Sequence, residues 1–560
     1  MSKFIRIFCR NAGRHFEVEG GTTLLELSKI PELNLGFSPI CALVNNKTEH
    51  LGFPIFAPKD IEFIDASTPP GQHVYIRSLC MMAYCAVVAT DESLNFRIEH
   101  SISRGYFCRL FNASGEQVEP SAELVDTILA EMRRLSEADI PLRHHEERTS
   151  EVMRIFQSQH LDQRVELIET IPDFYTPYYT LKGVADSYSG PLAPSTGLIT
   201  VFNLVKWNDG MLLLGPDAEN SAMPATPVVQ QKMFKAFTDN LKFNYIVGID
   251  NVGKLNKAID KGESGRLINV AEALHDKKIS RISDEILERH NVGNAKIILI
   301  AGPSSSGKTT TSKRLAIQLM TNLIVPKVIS LDDYFVDREK TPRDASGDYD
   351  YENLHALDLY RFNSDLNKLI AGETVNIPTY SFEFGKRIER ERPMRLGKND
   401  VLIIEGIHGL NPELTSGVDS DSLFKIYVSA LTTLHIDAHN WISTSDNRLL
   451  RRIIRDFKYR HTSPAETIRR WPSVRAGEEK WIFPFQENAD ATFNSSLLFE
   501  LAVMKPFLLP LLENVPHTSP EYTMAYRLMR FLKIFRAVPA EQVPSTSLLR
   551  EFLGGSSFKY

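Results

Sequence analysis

Eight consecutive residues concentrate the chemistry this chain can do: Gly302-Pro303-Ser304-Ser305-Ser306-Gly307-Lys308-Thr309, a G-x4-G-K-T loop. Its glycines let the backbone curl so that successive N–H groups converge, and a helix starting beside it adds a positive end, so polyphosphate is held with few side chains. In such a loop Ser304, Ser305 and Ser306 line the turn, Lys308 reaches the β- and γ-phosphates, and Thr309 offers its hydroxyl to Mg²⁺. Thr310 is counted with them as a nucleotide contact. The competing reading is a serine-rich surface turn. The flanks argue against it, because Lys296–Ala301 is an apolar run of strand type and Thr310–Met320 has the pattern of a helix.

Carboxylates follow where phosphoryl transfer needs them. Val328–Phe335 reads as an apolar strand ending in Asp332, Asp333, Tyr334 and Phe335. Acidic groups at the carboxyl end of a parallel strand beside a phosphate loop are placed to meet Mg²⁺ or to accept a hydroxyl proton. Val401–Gly409 is a second such strand and ends in Glu405, which can hold Mg²⁺ or a water bound to it. His408 belongs either to this site or to a structural hydrogen bond behind it. Arginines supply the opposite charge: Arg448, Arg451, Arg452 and Arg455 fall at i, i+3, i+4 and i+7 of a helix predicted over Asp446–Arg460. Four guanidinium groups on one stripe repel one another unless anions sit among them, and charge developing on a moving phosphoryl group is such an anion. The alternative is a solvated basic face paired with Asp446 and Asp456. Beyond it, Arg460–Trp481 reads as a mobile lid.

These groups need a large scaffold. The chain has 560 residues, 43% apolar and 24% charged, enough for roughly three or four domains. A net charge of −6 gives no overall drive toward nucleic acid or an anionic membrane. The five cysteines, Cys9, Cys41, Cys80, Cys85 and Cys108, form no C-x-x-C pair and are expected as reduced, buried thiols of a cytoplasmic protein. Met1–Arg10 lacks the uninterrupted apolar core of a secretory leader. The greasy stretch Leu497–Leu512 is broken by Glu500, Lys505, Pro506 and Pro510, so no membrane segment is expected.

Along the chain, residues 1–65 alternate in strand fashion around a short helix at Thr23–Lys29, and Gly21-Thr-Thr-Leu-Leu-Glu-Leu and Ala42-Leu-Val-Asn-Asn-Lys resemble the TGS domain, a β-grasp module. Thr68-Pro69-Pro70-Gly71 marks a boundary. Residues 72–240 resemble the second N-terminal domain of threonyl-tRNA synthetase, which edits mischarged tRNA, through Gln72–Arg77 and Asp186–Gly197. That pattern implies two histidines four apart and a cysteine and histidine four apart; here only His73 stands, with Arg77, Tyr188 and Leu192 in the other places. The likeness therefore implies a scaffold without editing chemistry. His144-His145-Glu146-Glu147 is read as a solvated helical face rather than a metal site, and Ala122–Leu135 and Thr149–Gln159 as core helices. Residues 241–292 read as a helical connector, and 496–560 as a helical extension that caps the preceding domain or makes an oligomer contact.

Residues 293–495 resemble the uridine kinase and phosphoribulokinase group of P-loop kinases. The likeness rests on the phosphate loop, Ser330–Phe335, Tyr349–Glu352, Ile377–Tyr380, Ile404–Ile407 and Arg448–Arg460. The expected fold is multidomain α/β: a β-grasp domain, an α+β synthetase-like domain, a kinase domain with a parallel sheet flanked by helices, and the helical extension. The resemblance implies ATP and Mg²⁺, with Asp332 as the base for a nucleoside 5′-hydroxyl and Glu352 holding the ribose hydroxyls. It also implies Tyr334 and Tyr380 against the nucleoside and Arg452, Arg455 and Arg460 as lid arginines. Two departures put the nucleobase in doubt: Gly385 aligns with a base-reading histidine, and Thr462 replaces an arginine in Arg460-His461-Thr462. The expected function is a nucleoside kinase. The rival is a nucleotide-gated RNA-binding protein whose first 240 residues meet tRNA or ribosome.

Overall fold

Ile297–Ala301 holds five apolar residues in a row, and a strand without a polar face must lie inside a sheet covered on both sides. In the computed structural model, which describes residues 4–559 apart from 294, 344–346, 382 and 389–391, all five are buried. Met1–Lys3, the start of the leader reading, lies outside the described residues. This strand, β1, is the centre of a five-stranded parallel sheet with β2 (Val325–Ser330), β3 (Asp400–Glu405), β4 (Leu423–Ser429) and β5 (Ala491–Asn494), in the order β2-β3-β1-β4-β5. Pairing of Ile300 and Ser330 with Glu405, and of Ala301 with Tyr427, brings the carboxyl ends of the strands to one edge. Ligands in open parallel sheets bind at that edge.

Alternate residues of the strands feed two cores. Ile298, Ile300, Ile403, Ile426 and Val428 pack with helices α1 (Ser264–Gly293), α2 (Lys308–Thr321), α3 (Thr444–Arg460) and α4 (Pro464–Trp481). The same cluster takes in α5 (Glu500–Glu513), α6 (Tyr522–Lys533) and α7 (Arg550–Leu553). Ile297, Leu299, Ile329, Leu402 and Ile404 face the opposite side, against Tyr334, Leu354, Phe362 and Leu366. The helices after residue 496 thus share the core of the sheet, as do those of the connector.

The first sheet is separate and mixed: Arg14–Glu19, Phe4–Cys9, Asp60–Ile64, Cys41–Val44 and Lys47–Glu49 in spatial order, with Phe4–Cys9 parallel to Asp60–Ile64. Its short helix, Leu24–Ser28, is closed by a capping box of Thr23 and Glu26. Residues 95–214 contribute two antiparallel sheets around the helix Pro69–Thr90. That helix, and not Leu497–Leu512, is long and apolar enough to cross a membrane, and 67% of the qualifying window is buried inside the protein. All five cysteines are buried and free.

One local expectation fails. His144–Glu147 lie on the strand Arg143–Arg148, paired with Tyr175–Leu181, and not on a helix. Cross-strand partners decide such a polar segment: His144 stacks on His50 at 4.1 Å and His145 Nε2 meets Thr180 Oγ1 at 2.9 Å. Among the described residues no group of three or more His, Cys, Asp and Glu side chains is arranged to hold a metal.

Candidate active site

The phosphate loop joins β1 to α2, and two glycines make that path feasible. A Cβ on Gly302 would run into the Val428 carbonyl, and Gly307 adopts φ 86°, a left-handed conformation that costs other residues. The non-glycine Ser305 also sits at φ 59°, held where Arg451 Nη1 donates to its carbonyl at 3.4 Å. Lys308 folds back over the loop, with Nζ 2.9 Å from the Gly302 carbonyl and 3.2 Å from that of Pro303. The Thr309 hydroxyl lies 3.0 Å from both oxygens of Glu405.

Five carboxylates converge on this loop. Asp332, Glu352, Glu405 and Glu551 all act electrostatically on Lys308, and Glu478 accepts the Ser304 N–H at 3.0 Å. Burial pushes Glu405 up to about 7, against the pull of Lys308 and with a further upward push from Asp332 and Glu551. Burial also raises Glu352 to about 7, aided by Glu478 and opposed by Arg452 and Lys308. Burial lowers Lys308. Asp332 is exposed at the cleft, so water weakens the upward push that burial among its neighbours exerts on its carboxyl. Surplus negative charge beside a threonine hydroxyl suits a divalent cation that keeps its waters and takes only one or two carboxylates. Thr309 and Glu405 fit Mg²⁺.

The raised carboxyl has a consequence for stability. Glu405 binds its proton more tightly in the folded chain, so between 4.5 and about 7 the native state holds the extra proton and loses stability as pH rises. Glu405→Gln cannot ionise. It is expected to match the wild type in denaturant melts at pH 5 and to exceed it at pH 8 by on the order of 1 kcal/mol, after discounting for solvent. A variant weaker than wild type at pH 8 would overturn this.

The arginine stripe of α3 splits into two roles. Arg448 and Arg451 are fully buried. Arg448 forms a two-pronged ion pair with Glu478 of α4 and reaches the Ser304 carbonyl at 3.1 Å. Arg451 pairs with Glu500 of α5 and donates to the Ser495 carbonyl at 3.0 Å. Neither is free to meet a transferred group, contrary to the reading of one four-membered stripe: helical spacing puts all four on one side, but α4 and α5 cover half of it. Arg452 remains in the cleft, with Nη1 2.9 Å from Ser304 Oγ and Nε 3.1 Å from Asp456. Arg455 and Arg460 also pair with Asp456, at 2.9 and 3.5 Å. The lid segment forms α4, which buries Trp471 and Val474 and lays Gly477 against the Glu352 side chain.

On the acceptor side, Glu352 sits beside Asp332, Lys308 and Arg452. Tyr380 joins an aromatic wall, 5.6 Å from Phe335, which in turn lies 6.0 Å from Tyr351. Tyr334 does not belong to it. Its ring is 0% exposed, edge-on to Phe362, and its hydroxyl donates to Asp365 at 3.2 Å. The short helical turn Leu331–Tyr334 rotates Asp332 into the cleft and Tyr334 into the core, which corrects its assignment to substrate. His408 is buried, 6.2 Å from Trp481, and among the described residues neither ring nitrogen finds a hydrogen-bond partner, so the structural hydrogen bond expected of it is not formed. Glu478, Glu500 and Glu551 were missed by sequence reasoning. Each is an ordinary glutamate in a helix, and only the folded chain brings Glu478 and Glu551 to the loop and Glu500 to the arginine that supports it.

A parallel sheet with a phosphate loop at its carboxyl edge, a lysine over that loop and carboxylates on the neighbouring strands defines a P-loop nucleotide site. The phosphoribulokinase / uridine kinase family profile matches residues 297–498. Over 196 residues the chain is 30% identical to a uridine kinase of Staphylococcus aureus (strain JH9), covering 35% of this chain and 84% of that protein. It is 27% identical over 208 residues to uridine-cytidine kinase B of Dictyostelium discoideum, covering 36% and 77%. A solved structure described as a possible uridine kinase from Bacillus stearothermophilus matches with TM-score 0.27 and 22% identity, covering 39% of this chain and 98% of that one. The chain belongs to the phosphoribulokinase / uridine kinase family through this region, and is a small-molecule kinase.

Proposed function

We propose that the protein transfers the γ-phosphoryl group of ATP to the 5′-hydroxyl of a nucleoside. The carrying observation is the convergence of Lys308, the Thr309–Glu405 pair and Asp332 at one sheet edge, in a family whose similar members are named uridine kinases. Lys308 and the loop amides neutralise the phosphates, Arg452 and Arg460 face the moving group, and Asp332 takes the acceptor proton. Mg²⁺, held by Thr309 and Glu405, would offset charge on the phosphate oxygens. Glu352 and the wall of Phe335, Tyr351 and Tyr380 receive the sugar and base.

The base is read differently from the pattern in the resemblance. Gly385 has φ 65°, and a Cβ there would lie 2.6 Å from Arg338 Nε, which donates to the Tyr351 hydroxyl at 3.1 Å. A histidine at Gly385 would be strained at this φ and would have to displace the Arg338 side chain. For the front of the chain we propose a TGS-like domain followed by a synthetase-like scaffold. The strand order of the first sheet supports the former. Tyr188 and Leu192, both buried, support a degenerate editing site. The buried free thiols support a reducing, cytoplasmic location.

The test is ADP release from ATP–Mg²⁺ by the full chain against a panel of nucleosides. Stimulation by one or a few is expected. Turnover only on sugar phosphates would remove the nucleoside, and ATP binding without turnover, joined to salt-dependent RNA binding, would favour the RNA-binding alternative.

A further inference from the structure

The phosphate loop already holds an anion of the protein's own. The first bond inside α2 runs from the Thr311 N–H to the Gly307 carbonyl, at 3.0 Å, so the amides of Lys308, Thr309 and Thr310 point out of the helix end toward the phosphate seat. At Thr310 the N–H, at 3.2 Å, and the hydroxyl, at 2.6 Å, both donate to Glu551 Oε2. Glu551 comes from α7, 241 residues further along the chain.

The carboxylate is built in rather than brought by a loose tail. Leu548, Leu549 and Phe552 around it are 0% exposed. A Cβ on Gly307 would lie 2.6 Å from a Leu548 methyl, so the tail is fitted to the glycine turn itself. Arg550 ties the segment to the carbonyls of Ala540, at 2.8 Å, and Val543, at 2.6 Å. Lys458 Nζ donates to the Leu553 carbonyl at 2.6 Å, and the Arg451 guanidinium lies 5.2 Å above the Phe552 ring. The segment Ser547–Leu553 is therefore a fixed wall of the nucleotide site.

In loops of this pattern the backbone amides cradle the α- and β-phosphates while the lysine reaches β and γ. Thr310 lies two residues beyond Lys308, at the end of the run of helix-end amides, and its two donors are the ones Glu551 takes. We propose that Glu551 is a donor-discriminating residue that holds the α-phosphate seat at Thr310. A nucleoside triphosphate must turn its carboxylate aside and bind next to a like charge. A donor that engages only Lys308 and Thr309, such as inorganic pyrophosphate, leaves it in place. This rests on reading the loop as an ATP site.

The experiment is calorimetric binding of ATP and of inorganic pyrophosphate, each with Mg²⁺, to the full-length wild type and to Glu551→Gln. The amide keeps the shape and one acceptor but drops the charge. ATP is expected to tighten about five- to tenfold, and pyrophosphate, which feels the Glu551 charge at Lys308 but does not displace the carboxylate, by a clearly smaller factor. Equal ATP affinity in the two proteins, weaker ATP binding by Glu551→Gln, or an equal gain for pyrophosphate would each overturn the assignment and leave the ATP site standing. ATP binding to neither protein would take down both. If Glu551→Gln does not fold, Glu551→Asp withdraws the charge by one methylene and is expected to tighten ATP by a smaller factor; no gain there overturns the proposal.

Discussion

Asp332→Asn is expected to reduce phosphoryl transfer by about 10²- to 10⁴-fold, the usual contribution of a positioned general base. The change keeps the size of the side chain and one acceptor, and it removes only the capacity to take a proton from the acceptor hydroxyl. The Asp332 carboxylate is exposed at the cleft and makes no bond that holds the loop together; the neighbouring Asp333 instead pairs with Arg392 at 2.9 Å. Fold and ATP binding should therefore survive. Single-turnover kinetics together with ATP calorimetry check this: a collapse of the chemical step with nucleotide affinity within about threefold is the expected pattern. Wild-type turnover by the variant would remove Asp332 from the mechanism, and with it the distinction between a kinase and a nucleotide-gated switch.

The second large effect is on stability. Glu500 is 1% exposed and accepts from Arg451 Nε at 2.9 Å, Asn447 Nδ2 at 2.7 Å and Ser496 Oγ at 2.7 Å. Glu500→Ala leaves the Arg451 guanidinium, itself 0% exposed, without its counter-charge. Breaking a buried pair from one side costs about 3–5 kcal/mol, because the remaining charge keeps its desolvation cost. Arg451 also contacts the Ser305 carbonyl, so the same change should loosen the phosphate loop and weaken ATP. Denaturant melts of the apo protein read the first effect and nucleotide titration the second. Replacing both partners, Arg451→Met with Glu500→Leu, should recover most of the lost stability. A double variant as unstable as the single one would show that the cost comes from lost packing.

The two halves of the arginine stripe show where sequence reasoning reached its limit. Spacing of three and four places Arg448, Arg451, Arg452 and Arg455 on one side of α3, and the structure keeps them there. Which of them meets ligand depends on what packs against that side. Glu478 and Glu500, 30 and 49 residues further along the chain, capture Arg448 and Arg451, and no local pattern marks either glutamate. Tyr334 makes the same point within one turn. It follows the exposed Asp332 by two residues, and a short 3₁₀ segment turns one toward the cleft and the other into the core.

Features whose chemistry is local could be read along the chain. The spacing of glycines, lysine and threonine in the phosphate loop, the wholly apolar central strand and the acidic strand ends each act through backbone geometry or through neighbours a few residues away. Those features placed the nucleotide end of the site and the parallel sheet that carries it. The long-range pairings emerge from packing alone: the glutamates that lock two arginines, the α7 carboxylate that occupies Thr310, and the sharing of one core by connector, sheet and C-terminal helices. A buried charge is stable only beside a partner that folding delivers, and the identity of that partner is a property of how elements pack rather than of any one of them.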